Sequence, residues 1–187
     1  MTRPLIGKLA VIGVGLIGGS FALALKKAHA VAEVVGVGRS RANLDLALEL
    51  GIIDTGAADP AAGVVGADLV FLATPVLTMR SVTEAILPHL KPGAILTDAG
   101  SVKAEVIRQL EPLLPPGIHL VPGHPIAGTE KSGAGAAFAG LFAGRNCILT
   151  PTPRTDPGAL ALVRRLWELA GSRVVTMDVE QHDRVLA

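Results

Sequence analysis

Tyrosine is absent from this 187-residue chain, and aromatic residues make up only 3% of it. A core without many rings must be built from Ala, Val, Leu and Ile, which suits parallel strands covered by helices on both faces. A single cysteine, Cys147, excludes an internal disulfide and fits a reducing cytoplasm. Cys147 sits in an apolar run and reads as a core thiol rather than a nucleophile. Charge is scarce as well: 18% of residues carry it, and the net is +1. Nothing in that balance suggests a nucleic-acid surface. Half of the residues are hydrophobic, which argues against disorder and provides for a buried core. There is no internal repeat and no low-complexity segment, and the length suits one to two domains.

What is present is concentrated between Lys8 and Lys27, KLAVIGVGLIGGSFALALKK. A β-branched apolar run, Leu9 to Ile12, precedes Gly13, Gly15 and Gly18 in G-x-G-x-x-G spacing. An apolar helix pattern follows at Ile17, Phe21, Leu25 and Ala28. Strand, glycine turn and helix together form the context that raises this motif above chance. The first glycine permits a tight turn, the second removes a side chain where a pyrophosphate approaches, and the third lets helix and strand pack closely. Free N–H groups at the helix start, with the positive end of the helix dipole, then face the phosphates. Gly13, Gly15, Leu16, Ile17 and Gly18 are therefore expected to hold a dinucleotide. A plain α/β turn without ligand is the bland alternative. A membrane anchor is weaker still: the uncharged run from Leu9 to Leu25 contains four glycines and falls short of a spanning helix. No membrane role and no metal are expected.

Further along, strands are expected at 33–37, 68–73, 94–97, 118–121, 146–150 and 173–176. Helices are expected from Ser40 or Arg41 to Leu50, at 77–87, from Val102, and after the Asp156-Pro157 cap. Asp54 to Pro60 reads as a loop, and Ile126 to Gly144 as a Gly/Ala-rich functional loop with a short helical piece. The alternation implies α/β architecture: a doubly wound, mainly parallel, Rossmann-type sheet with helices on both faces, spanning residues 1–176. The last two strands are expected to run mixed or antiparallel. A helix begins at Val179, so residues 177–187 read as the start of a linker.

Ligands of such sheets lie beyond the carboxyl ends of the strands. The second strand ends at Gly38-Arg39-Ser40-Arg41, where a carboxylate would favour NAD. Arg39, Ser40 and Arg41 instead suit a 2′-phosphate, so NADP is expected, with NAD possible. The bland reading makes Ser40 a helix N-cap and leaves the arginines in solvent. Thr74 and Pro75, Asp98 to Ser101, and His124 fall at other strand ends. Ser101 also reads as the N-cap of the next helix. His124 lies between Gly and Pro on a loop, where a titratable side chain points to function. His29, His89 and His119 read as structural or solvent histidines, and His182 is left open.

Three segments now converge. GVGLIGGS at 13–20, DAGSVK at 98–103 and GHPIAGTEKSG at 123–133 together resemble the prephenate/arogenate dehydrogenases of tyrosine biosynthesis. The first is shared by many dehydrogenases, and the third is long and specific. The resemblance spans essentially the whole chain, with His182-Asp183 matching the junction to the family's helical, dimer-forming second domain. It implies an NAD(P)-dependent oxidative decarboxylation of a small molecule, prephenate or arogenate, and a homodimer formed through a C-terminal domain not in this chain. By the same resemblance His124 accepts the proton of the ring hydroxyl, with activity depending on a pKa near neutrality. Ser101 orients cofactor, hydroxyl and histidine, and Thr129, Glu130 and Lys131 lie near the substrate entrance. Two other readings stand beside it: an NADP-binding module without turnover, and a 3-hydroxyacid-type dehydrogenase on the same fold. The second is weakened because GHPIAGTEKSG does not resemble that group's motifs.

Overall fold

A computed structural model describes residues 3–187; Met1 and Thr2, which the sequence reading includes in the nucleotide-binding domain, lie outside the described residues. The apolar runs form strands β1 (Ile6–Ile12), β2 (Val31–Val37), β3 (Thr55–Ala57), β4 (Leu69–Leu72), β5 (Ile95–Asp98) and β6 (His119–Val121). They pair in the order β3-β2-β1-β4-β5-β6, every pair parallel. Side chains on a strand alternate between faces, and here the alternation divides one core into two. Leu9, Val11, Leu69 and Phe71 pack on one side, while Ala10, Ile12, Val70 and Leu72 pack on the other. Helices α1 (Leu16–Lys27) and α6 (Pro157–Leu169) cover the first side. Helices α4 (Val76–Ile86) and α5 (Lys103–Leu110) cover the second. This is the doubly wound arrangement expected from the sequence.

The few aromatics are not spread through the core. Phe21, Phe71, Phe142 and Trp167 meet on the α1/α6 side, with Phe21 and Trp167 ring centroids 4.4 Å apart. The opposite side is aliphatic, as the composition suggested.

Helices α2 (Arg41–Glu49) and α3 (Pro60–Gly63) flank β3. The sequence reading places a loop where β3 forms. Thr55-Gly56-Ala57 is a short edge strand with no apolar run, so it emits no strand signal. The strand expected at 118–121 forms as β6, and a further short strand, not expected from the sequence, follows it. Pro122 separates β6 from β7 (Gly123–Pro125), and β7 joins a second sheet with β8 (Asn146–Leu149) and β9 (Arg173–Thr176). There β7 runs antiparallel to β8, and β8 parallel to β9, the mixed arrangement expected of the last strands. The uncharged run from Leu9 to Leu25 is split between β1 and α1. Among the described residues no helix is long and apolar enough to cross a membrane. The final helix, α7 (Val179–Leu186), is capped by Asp178 and packs against α5.

Candidate active site

The carboxyl ends of β1, β2, β4 and β5 line one edge of the large sheet, and β7 begins beside the end of β5. The glycine turn opens that edge, and its three glycines have different physical reasons. Gly13 has φ +97°, and a Cβ there would lie 2.5 Å from the Ala73 carbonyl oxygen. A Cβ on Gly18 would lie 2.2 Å from the Gly13 carbonyl oxygen. Gly15 is unlike both: a Cβ there meets no protein atom within 4 Å. Gly15 also occupies the N-cap position of α1 and supplies no side-chain cap. Open space in front of uncapped helix amides is a cradle for an anionic group. Beside it, the buried Thr74 hydroxyl has no hydrogen-bond partner within the protein. These features fit a dinucleotide.

The open space at Gly15 has a testable consequence. Gly15→Val should leave the domain folded, because a Cβ there meets no protein atom within 4 Å, yet should abolish dinucleotide binding. Thermal melting and calorimetric titration check this. Normal nucleotide affinity in the folded variant would make the motif purely structural.

Within the turn, Leu16 is buried in the core, so only its backbone faces the edge; Ile17 is half-buried. Asn43 ties the turn to the rest of the site, donating to the Val14 carbonyl oxygen at 2.7 Å and accepting from the Ala134 N–H at 2.8 Å. The sequence reading missed Asn43, whose two partners come from distant segments. At the end of β2, Arg39, Ser40 and Arg41 are exposed. Ser40 caps α2, its Oγ accepting from the Asn43 N–H at 3.2 Å, and Arg41 donates to Asp45 at 2.9 Å. Arg39 and Arg41 still line a cavity of about 160 Å³ with Leu44, Asp45, Leu48, Gly56 and Ala58. A larger cavity of about 240 Å³ lies at the amino end of β6, away from this edge.

The end of β5 is built around a buried ion pair. Asp98 and Lys103 are both fully buried and in contact. Asp98 accepts from the Gly100 N–H at 2.8 Å and the Gly123 N–H at 3.1 Å. Lys103 Nζ donates to the Gly123 carbonyl oxygen at 2.6 Å. Burial pushes the Lys103 ammonium below its ordinary value, against the pull of Asp98. Gly123 is thus gripped on both its N–H and its C=O, and the next residue is His124.

His124 is half-buried, and its Nδ1 lies 2.8 Å from Nε2 of the fully buried His182. Nδ1 of His182 lies 2.7 Å from Asp183. Burial is the main cause that pushes the His124 imidazole down to about 4, helped by His182 and Lys103; Asp98 and Asp183 pull the other way. This corrects the expectation of a value near neutrality, because the sequence does not reveal how deeply the ring is enclosed. Cys147, across the sheet from Pro125, is buried and its thiol is pushed up by that burial, in keeping with a core role.

Ser101 is exposed and does not cap α5, contrary to the N-cap reading. Asp183 does so instead, accepting from the Lys103 and Ala104 N–H groups at 2.8 Å each. Pro75 sits exposed at the N-cap position of α4. Thr129, Glu130 and Lys131 lie on the exposed loop after β7, and among the described residues none is hydrogen-bonded to His124 or Ser101.

The strand order, the glycine turn open at Gly15 and the imidazole at the end of β5 and start of β7 define a Rossmann-type nucleotide-binding domain. Residues 21–176 match the family described as "Prephenate dehydrogenase, nucleotide-binding domain", and the chain belongs to that family. It is 42% identical over 179 residues to a cyclohexadienyl dehydrogenase from Zymomonas mobilis, covering 96% of this chain and 61% of that protein. It is 38% identical over 178 residues to a prephenate dehydrogenase from Bacillus subtilis, covering 95% of this chain and 48% of that protein. Among solved structures, prephenate dehydrogenase from A. aeolicus in complex with hydroxyphenyl propionate and NAD+ superposes with a TM-score of 0.89. That match has 38% identity and covers 96% of this chain and 62% of that one. The chain therefore spans about half to three-fifths of the length of these relatives.

Proposed function

We propose that this chain forms the cofactor-binding part of a dehydrogenase that oxidatively decarboxylates prephenate or arogenate, giving 4-hydroxyphenylpyruvate or tyrosine. The observation that carries this reading is the placement of the His124 imidazole, which follows a gripped backbone on the same sheet edge as the open glycine turn. Gly13, Gly15, Gly18 and the first amides of α1 would hold the pyrophosphate, with Thr74 and Pro75 beside it. A bound nicotinamide would supply the acceptor for the hydride from the ring's C4, and departure of CO2 would leave its electron pair to aromatise the ring. His124 takes the proton of the C4 hydroxyl, and a neutral ring is the form able to do so. Ser101, exposed at the end of β5, would orient that hydroxyl. Thr129, Glu130 and Lys131 would border the substrate entrance. Further substrate contacts and a homodimer contact would come from the remainder of the relatives' length. The free Cys147 suits a cytoplasmic setting.

The test is turnover of prephenate and of arogenate by this chain and by a chain extended to the relatives' length. The expected result is nucleotide binding by both and turnover by the longer one. Consumption of neither substrate by the longer chain would refute the assignment.

The cofactor preference is proposed separately. The Arg39–Arg41 end of β2 carries no acid, and the two arginines line one cavity. NADP should bind more tightly than NAD by about 1–3 kcal/mol if a charge-assisted phosphate contact forms. Arg39→Ala should remove most of that advantage and leave NAD affinity nearly unchanged. Calorimetric titration with both nucleotides decides it, and equal affinities in the unmutated chain would end the NADP reading.

A further inference from the structure

We propose that His182 and Asp183 are positioning residues for His124. They dictate which of its ring nitrogens carries the proton, so that Nε2 presents a lone pair to the substrate hydroxyl. This rests on His124 being the base.

The derivation runs inward from the carboxylate. Asp183 is bound by the Lys103 and Ala104 N–H groups of the first turn of α5. Partial burial opposes its ionisation, but hydrogen bonds from Ala104, His182 and Lys103 outweigh that and hold its carboxyl below the usual range. An ionised carboxylate only accepts hydrogen bonds. At 2.7 Å, His182 Nδ1 must therefore carry the hydrogen. In its neutral form an imidazole has one N–H, and with that hydrogen directed at Asp183 the Nε2 of His182 is the acceptor. It lies 2.8 Å from Nδ1 of His124, which must then be the donor. In the neutral form that its lowered pKa favours, His124 is left with an unprotonated Nε2. The carboxylate thus sets the tautomer of two rings in series, each second partner fixing the one before it.

The same arrangement serves the moment of proton transfer. When Nε2 of His124 takes the substrate proton, the resulting imidazolium keeps its Nδ1–H directed at His182. The Asp183 charge lies one ring further on, and Asp98 lies behind Gly123. Lys103 is the opposing charge, and its ammonium is already engaged by Asp98. The N-terminus of α5 is therefore tied to His124 twice: through Lys103 and the Gly123 backbone, and through Asp183 and His182.

Nitrogen-15 NMR of the histidine-labelled chain at neutral pH reads the tautomers without any turnover. Expected are protonated Nδ1 and bare Nε2 on both His124 and His182. His182→Leu removes the acceptor and should move the His124 proton to Nε2. His182→Gln keeps an acceptor oxygen at the place of the ring's Nε2 and should keep the proton on Nδ1. In the longer, active protein, His182→Leu should lower kcat by about 10²-fold or more with little change in KM, as for a catalytic histidine left in the wrong tautomer. His182→Gln should restore most of that loss. A proton on Nε2 of His124 in the unmutated chain overturns the inference, and so does a His182→Leu variant with unchanged tautomer and kcat. If His182→Leu does not fold, the unmutated chain and His182→Gln still decide. Absence of turnover by the longer protein would instead strike the functional reading and leave the tautomer result standing.

Discussion

His124→Asn should lower kcat by roughly 10²–10⁴-fold in a protein of the relatives' length, the usual worth of a positioned general base. Asparagine can hydrogen-bond a hydroxyl but cannot take its proton, so substrate binding should persist. The fold should persist too, because the grip on the preceding residue uses the Gly123 backbone and not the imidazole. The pH profile adds a second readout. His124 has its pKa depressed from 6.5 to about 4, so the folded protein keeps the ring neutral through the neutral range. The active form is the deprotonated one. The rate should therefore rise as pH increases through about 4 and level off above it, and this limb should be missing from the residual activity of the variant. Steady-state kinetics across that range settle the matter. An unchanged kcat in His124→Asn would remove His124 from the chemistry altogether.

Lys103→Met should destabilise the domain by about 3–5 kcal/mol, because it leaves the Asp98 carboxylate buried without its cation. That is a large part of the stability of an ordinary domain. The damage should also be local: Lys103 holds the Gly123 carbonyl, so the start of β7 and His124 lose their anchor. Replacing both partners by apolar residues, Asp98→Leu with Lys103→Met, should cost less than the sum of the single changes, since no lone charge remains. Denaturant unfolding of the four proteins measures this. A single-variant loss below about 1 kcal/mol would mean that water reaches the pair and that its burial matters little.

The outline of the fold was legible because its signals are local. The run Leu69 to Leu72 is apolar throughout, and in the structure all four residues are buried. Asp156 and Pro157 start α6 as their types require, with Asp156 accepting from the Ala159 N–H at 2.8 Å. The glycine spacing likewise carries its own steric reason, since Gly13 and Gly18 have no room for a Cβ and Gly15 faces open space. Where a local signal was weak, reading failed. The edge strand β3 has no apolar run, and nothing in the sequence marks Gly123–Pro125 as a strand of a second sheet.

Composition and short-range pattern therefore determined the α/β class, the glycine turn and the presence of a histidine at a strand end. Tertiary structure decided what surrounds that histidine. His182 reaches His124 across 58 positions, and Asp183 caps α5 across 80, where Ser101 stood next to the helix and was the obvious cap. Such contacts depend on how α7 packs against α5, and packing of distant segments leaves no periodicity in either one. The physical reason is the range of the forces. Backbone sterics and apolar alternation act over a few residues and are written in sequence order. The burial that lowers the His124 pKa, and the hydrogen bonds that orient its ring, arise only once distant segments share one interior.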